Sequence, residues 1–502
     1  MEHNIKIDYF EEPDLQFGRY FEHAAAKTGL AEYGPFGKNI DGLHESQIKL
    51  GFVGTSSSIS MAQEWISRCR NYIESENLKV TERRVRGNEN TLFDDDLENH
   101  TIRRLEKVQN RDFVGFNLDS PFESSFQTNP RWIREIDQRV LNETLKLGNE
   151  VKRIWRVVDL LESELESISR TDPVPDIIVV SLPQEVVEAA SSAPVTEEYY
   201  VNLRRALKAR AMRQETPLPI QIILPRTIEG GSDTQGPATR AWNFCTAQYY
   251  KAGGVPWRPL SLDENSCYMG ISFFLTQETE DSVHMRSSVS MAFDYLGQGL
   301  VLRGAKFKWD PERQGRSPHL TSEAAADLIS RTLKEYVNVQ GQPPSRLVIH
   351  KTSEFWGADH EDYNEVDGIF EGVNRVFPDC DVDLVTLKKS DIRLFREADY
   401  PPLRGTYFQV GDTHGLYTMG FIPHLETYPK PYVPRPWEIT HHIGGSAPKD
   451  LLREILVLTK MNVNNCSYAD GTPITLSFSK KIGEIMKHVG GGPIQSRYRL
   501  YM

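Results

Sequence analysis

The sequence predicts an α/β protein made of two successive units. Three observations carry this. Short apolar runs such as PDIIVVSLP (175–183), QIILP (221–225), CYMGISFFLTQ (267–277) and LVIHKT (347–352) alternate with segments of helical periodicity. Strands alternating with helices build parallel sheets. At 502 residues the chain is too long for one compact core. The Pro- and Gly-rich stretch GGVPWRPLSL separates the two series, which places the boundary near Val255–Leu262.

The elements of the first unit follow from local chemistry. Residues 1–45 are rich in Gly, Pro, Glu and aromatics and are expected to drape over a domain. IKLGFVGTSSSISMAQEWISRCRNYI (48–73) reads as a strand from Ile48 to Val53, a turn at Gly54, and a helix with a Ser/Thr cap. The charge run over 80–112 predicts a solvated surface. From Trp132 and Ile133 through Ile136, Val140 and Leu141 to Leu160 and Leu161, the apolar spacing predicts helix over 130–170. PDIIVVSLP shows little alternation, as a strand buried on both faces does. NLRRALKAR (202–210) reads as a helix, 220–224 as a strand, and 238–251 as a second helix stopped by Gly253 and Gly254.

The second unit opens with the strand CYMGISFFLTQ and two further strands in SVSMAFDYLGQGLVLRG (288–304). The loop WDPERQGRSPH (309–319) leads to a helix over 322–338, capped by Ser322. A strand (347–352), a helix (Tyr363–Val376) and the strand VDLVTL (382–387) follow. Three strands, a helix, then strand, helix and strand is the order of an RNase H-like fold.

Composition narrows the function. Hydrophobic content of 39% and charged content of 25% are ordinary for a soluble globular chain. No stretch approaches 18 uninterrupted apolar residues, and the polar start MEHNIKIDYFEEPD has no signal pattern. The five cysteines, at 69, 245, 267, 380 and 466, never form CxxC, which suits free thiols in a reducing cytoplasm. A net charge of −12 argues against nonspecific coating of nucleic acid. It leaves room for a local basic channel, completed by a basic partner.

Four side chains stand out. Arg204 and Lys208 lie at i and i+4 on one helix face, Gln221 opens a strand, and Lys251 closes a helix before Gly253-Gly254. Alone, the first two would suit a solvated basic face. Two cations and an amide donor gathered at helix and strand ends suit a terminal phosphate. On a parallel α/β sheet, such a ligand is expected beyond the carboxyl ends of the strands.

The ordered set Arg204, Lys208, Gln221, Lys251, with the phrase YYKAGGVPW (249–257), resembles the guide 5'-phosphate pocket of prokaryotic Argonaute MID domains. LTKMNVNN (458–465) and DGTPITL (470–476) resemble the end of a PIWI domain. The strand-turn-helix at 48–73 is similar to one near the start of short Argonautes. The resemblance is strong over 170–502 and weak before it. It implies a Rossmann-like MID domain followed by an RNase H-like PIWI domain. On it, residues 1–170 form the N-terminal part of the MID lobe, 171–258 the MID core with the pocket, and 259–502 the PIWI domain. No PAZ domain or long N-terminal lobe is expected before residue 170.

An RNase H-like nuclease uses carboxylates to hold two divalent metals about 4 Å apart. Where catalytic Argonautes carry these acids, this chain offers Ser272 after Gly270-Ile271, Thr352 after Lys351, and Lys480 in PITLSFSKKIGEIM (473–486). Asp310 and Glu312 lie in the loop that resembles the family's mobile one. The expectation is an inactive nuclease centre.

The resemblance implies a protein that binds a 5'-phosphorylated guide RNA and pairs it with single-stranded target DNA. Base pairing reads sequence in such a system while the protein reads backbone shape. Lys460 and Asn464 would face guide phosphates, and the Met502 carboxylate would help hold Mg2+ with the guide phosphate. Output would come from an APAZ-containing effector, commonly an NAD-degrading TIR or Sir2 domain and less often a nuclease, in defence against plasmids or phage. Assembly into a higher oligomer on activation stays open.

Two other readings remain. Asp294, Glu354, Asp359, Glu361 and Asp412 are candidates for a relocated acidic metal site in an active nuclease. Gly51–Ser57, a glycine turn before a helix, is a candidate nucleotide cradle, although it lacks the Gly-Lys-Ser/Thr ending of a P-loop.

Overall fold

The computed structural model describes residues 5–75, 111–196, 199–231, 234–275, 285–397, 401–423, 428, 433–489 and 494–502. Most of the 80–112 charge run lies outside these residues. The chain opens with strands β1 (Ile5–Tyr9), β2 (Leu15–Gln16) and β3 (Glu22–His23), then a helix Ala26–Tyr33. β1 does not belong with the first unit. It pairs antiparallel with the strand Thr406–Val410, four hundred residues along the chain, as an edge strand of the second sheet. The division at residue 170 therefore needs correction at its start.

The first sheet has four parallel strands: β4 (Gln47–Gly54), β5 (Ser125–Glu135), β6 (Ile177–Ser181) and β9 (Ile220–Ile223), in the order β5-β4-β6-β9. Every residue of β6 is buried, as its unbroken apolar run requires. Trp132 and Ile133 lie in β5, so the helix expected from residue 130 begins later. Asp137 and Asn149 cap two separate helices, Gln138–Leu145 and Glu150–Ser169. Each cap accepts hydrogen bonds from the first turn, and this local chemistry overrides the continuous periodicity. A ribbon of β7 (Ser192–Pro194) and β8 (Tyr200–Asn202) leads into the helix Leu203–Ala211, capped by Asn202.

The strand β10 (Arg258–Pro259) pairs with β2 and marks the crossing to the second unit. There β11 (Ser266–Leu275), β12 (Met285–Phe293) and β13 (Gly299–Lys308) form a meander. The helix Ser322–Gln340 follows, with Thr321 rather than Ser322 as its cap. A short helix, Pro311–Gln314, interrupts the preceding loop. β14 (Arg346–Lys351) lies parallel beside β11, and β15 (Asp381–Lys389) parallel beside β14. β16 (Thr406–Val410), β17 (Thr413–Leu416) and β18 (Trp437–Ile443) complete a nine-stranded sheet in the order β1-β16-β17-β18-β15-β14-β11-β12-β13. The last long helix, Ile474–Met486, packs on β11.

One apolar cluster runs through both units, joining Phe52 and Trp242 to Val289 and Leu456. Polar contacts fix the junction. The Tyr250 hydroxyl donates to the Gly297 carbonyl (2.9 Å), and the Trp257 indole donates to that of Lys460 (3.1 Å). Arg205 pairs with Glu484 at 3.2 Å, and the Asn202 amide donates to His488 Nε2 at 3.2 Å. These last two hold the 203–211 helix against the 474–486 helix. Among the described residues no helix is long and apolar enough to cross a membrane.

Candidate functional site: a cationic pocket between the two sheets

Lys208, Gln221 and Lys251 converge. The Lys251 Nζ donates to Gln221 Oε1 at 2.6 Å and to the Ile220 carbonyl at 3.0 Å. Gln248 donates to the same Gln221 oxygen at 3.0 Å. Gln221 Nε2 is thereby turned away from Lys251, toward the Ile222 carbonyl at 3.2 Å. Lys208 Nζ donates to the Tyr501 carbonyl at 3.2 Å, which brings the end of the chain to the pocket. Arg204, one turn before Lys208, is exposed and lies close enough to act on its charge.

The geometry explains why the pocket forms here. β9 is the edge strand of its sheet, so the Ile220 carbonyl is open to a lysine from the 237–252 helix. Gly253, at φ +128°, ends that helix. Gln221 pairs with Val179 near the beginning of β9, so the pocket lies beside the start of an edge strand. The expected position beyond the carboxyl ends of the strands is not where these side chains meet.

The electrostatics favour an anion. Desolvation first, then the charges of Arg204 and Lys481, together lower the Lys208 pKa to about 7. Burial also holds Lys251 well below its ordinary value, with Lys208 adding to the effect. The charges acting on these two amines are therefore cationic. Desolvated amines whose near neighbours are cations gain from an incoming anion, because it returns the interaction lost on leaving water.

The last residue, Met502, is buried, one position beyond the carbonyl that Lys208 holds. Magnesium takes hard oxygen ligands and usually carboxylates. Here the terminal carboxylate would share the site with two lysines that already supply the positive charge. The residues fit an anion better than an anion with a magnesium ion.

Lys460 is committed elsewhere. Its Nζ donates to Glu12 Oε1 at 2.7 Å and to the Ala24 carbonyl at 2.6 Å, over the Tyr468 ring. It lies in the turn after the helix Pro448–Leu458, not at a helix start. Glu12 also accepts from Arg404 at 2.8 Å. Lys460 thus pins the N-terminal lead-in, and the expectation that it faces a guide backbone is corrected. Asn464, four residues on, is half-buried.

Ser272 and Thr352 lie level on neighbouring strands, two residues beyond the paired Gly270 and His350. A Cβ on Gly270 would meet the Thr475 carbonyl at 1.9 Å, and one on Gly483 would lie 3.3 Å from Phe274 Cβ. Eight helical residues span about 12 Å and four strand residues about 13 Å, so Ser479 falls opposite Ser272. Lys480 is exposed. The helix position facing the strands is therefore Ser479, one residue earlier than the sequence reading placed it. Ser272 Oγ and His350 Nε2 are buried without a hydrogen-bond partner. Burial pushes the His350 pKa down to about 3, which leaves the ring neutral.

The relocated acidic site finds no support in the geometry. Asp294 accepts the Leu296 and Gln298 amides and the Gln340 side chain within a turn. Glu354, Asp359 and Asp412 are exposed, and the Glu361 side chain lies outside the described set. Among the described residues no three His, Cys, Asp or Glu groups gather as a metal site. The turn at Gly51–Ser57 is also filled. Thr55 and Ser58 cap each other, and a Cβ on Gly54 would lie 2.5 Å from the Ser181 carbonyl. That leaves no cradle for a phosphate.

Sequence reading missed two contributors. Lys481 and the Tyr501 carbonyl reach the pocket only through tertiary packing, and no local signal marks them.

No protein-family model matches the chain, and no curated protein matches its sequence. Solved structures do match its fold. Clostridium butyricum Argonaute bound to a guide DNA and a 19-mer target DNA superposes with a TM-score of 0.61 at 14% identity, over 99% of this chain and 55% of that one. Drosophila Piwi gives 0.55 at 11% identity, over 99% and 56%. Aa-Ago with externally bound siRNA gives 0.53 at 13%, over 100% and 56%. The chain thus spans about half the length of these structures. Its two sheets, in their order and junction, have the MID–PIWI architecture of Argonaute and Piwi proteins.

Proposed function

We propose that the protein is a guide-directed sensor of nucleic acid that does not itself cut. The observation that carries this is the pair of amines beside each other, Lys208 half-buried and Lys251 buried, each held below its ordinary pKa by desolvation and a neighbouring cation. A guide 5'-phosphate would lie between them, with Arg204 at the rim and the Met502 terminus behind. Gln221 would orient Lys251 by accepting from it, and its amide donors would turn to the phosphate only after leaving the Ile222 carbonyl. The guide is read as RNA and the target as single-stranded DNA.

The centre beside β11 presents Ser272, Thr352 and Ser479, which cannot hold two divalent ions as carboxylates do. Output is therefore assigned to a separate effector subunit of the APAZ class, with an NAD-degrading TIR or Sir2 domain or, less often, a nuclease. The proposed setting is cytoplasmic defence against plasmids or phage. The net charge of −12 favours a basic partner surface as the other wall of the nucleic-acid channel.

The test is target capture. Protein loaded with a 5'-phosphorylated guide RNA should retain a complementary labelled DNA strand intact and release a scrambled one. Equal retention of both strands would overturn guide-directed recognition.

A further inference from the structure

A second cavity, of about 360 Å³, opens where the β12–β13 turn, the end of the 322–340 helix and the C-terminal turn meet Gly253–Gly254. Phe293 pairs with Tyr268, so this turn lies beside the start of β11, away from Ser272. Two arginines line the cavity. Arg497 is exposed and Arg499 is half-buried. Among the described residues neither guanidinium makes a hydrogen bond or an ion pair. Glu45 faces Arg499 across Gly253: a Cβ there would lie 3.1 Å from Glu45 Oε1 and 3.2 Å from Arg499 Nη1. Asp294, nearby, already accepts from Gln340, Leu296 and Gln298.

The opposite wall is of another kind. Tyr336 is buried at 5% exposure, Leu300 is buried, and Val339 is 50% exposed at the mouth. Gln298 adds an amide side chain. A partly desolvated guanidinium with no partner is costly unless an anion completes it. The half-buried Arg499 fork, with the exposed Arg497 fork beside it and an aromatic and aliphatic wall, matches a planar group joined to a phosphate. The volume lies in the range of small-molecule sites.

We infer that this cavity binds a nucleoside phosphate, with the phosphate on Arg497 and Arg499 and the base against Tyr336, Leu300 and Val339. The inference goes beyond the guide reading and uses none of its residues. The nucleotide is either free or the end of an oligonucleotide, since both present the same chemistry.

Calorimetry on the full chain tests it, with AMP, ATP, pyrophosphate and a 5'-phosphorylated dinucleotide as probes. AMP or ATP should bind, and the double variant Arg497→Ala/Arg499→Ala should weaken binding at least tenfold. Val339→Trp, a change at an exposed position that blocks the mouth, should do the same and keeps the test valid if the double variant misfolds. On a Lys251→Ala background, where the guide pocket's own phosphate affinity is removed, the cavity variants should weaken AMP and ATP binding by the same factor. The probes are ranked on that background, which separates this site from the guide pocket. Tighter binding of the dinucleotide assigns the source to a strand end; tighter binding of AMP or ATP assigns it to free nucleotide. No binding by wild type at about 1 mM, undiminished binding in both cavity variants, or pyrophosphate binding as tightly as AMP and ATP would overturn the assignment.

Discussion

Lys208 and Tyr501 meet across 293 positions of sequence, the ammonium donating to the carbonyl at 3.2 Å. This contact ties the helix of the first sheet to the end of the chain. It makes the pocket a property of both units together.

The linkage at Lys208 has a definite sign. Its pKa is about 7 in the folded protein, against an ordinary 10.5. Between those values the unfolded chain binds more protons, so the stability contributed by this group rises with pH over that window. Lys251 shifts in the same direction. On moving from about pH 7 to about pH 9, the wild type should gain stability relative to Lys208→Met. Urea unfolding of both at the two pH values checks this, and an unchanged gap contradicts it. Binding of a phosphate should also take up protons, read as a buffer-dependent heat.

Glu12 serves two buried cations, Arg404 at 2.8 Å and Lys460 at 2.7 Å. Lys460 has a pKa lowered to about 8 by burial, despite this partner. Removing the carboxylate strands both. Glu12→Ala should cost about 3–5 kcal/mol, as breaking a buried pair does. Thermal unfolding measures it, and a loss near zero would show that the N-terminal lead-in is not held this way.

Gly270 sets the closest approach of the 474–486 helix to β11, since its Cβ would lie 1.9 Å from the Thr475 carbonyl. Gly270→Ala should destabilise by about 1–3 kcal/mol through overpacking. Gly445, where a Cβ would meet nothing within 4 Å, serves as the control. Denaturant midpoints of Gly270→Ala and Gly445→Ala should differ accordingly.

The centre beside Ser272 should be silent. A matched guide and target with magnesium or manganese should give no product, and Ser272→Asp alone should not restore cleavage. One acid cannot hold the two ions that in-line displacement needs. Product from the wild type on a sequencing gel would contradict the account.

Much of this was legible in the sequence. The unbroken apolar run of β6, the glycine stop after Lys251 and the strand order of the second unit are local signals, and they placed most elements. Gln221 and Lys251 were legible at the ends of their elements, and Arg204 and Lys208 by their shared helix face. What was hidden depends on long-range packing. β1 looked like irregular lead-in, because its five exposed residues give no burial pattern until β16 pairs with them. Lys460 reads as a guide-facing cation because its partner Glu12 is more than four hundred residues away. The slip from Lys480 to Ser479 reflects how one residue turns a helix face by about 100°.

The central claim is that the pocket grips a phosphorylated strand end. The most direct test is binding of one guide RNA with either a 5'-phosphate or a 5'-hydroxyl, by wild type and by Lys251→Ala. Each charge-assisted bond lost costs about 1.5–3 kcal/mol, which is roughly ten- to hundredfold. The wild type should prefer the phosphate by at least that factor, and Lys251→Ala should lose most of the preference. Equal affinity of the wild type for both ends would contradict the account.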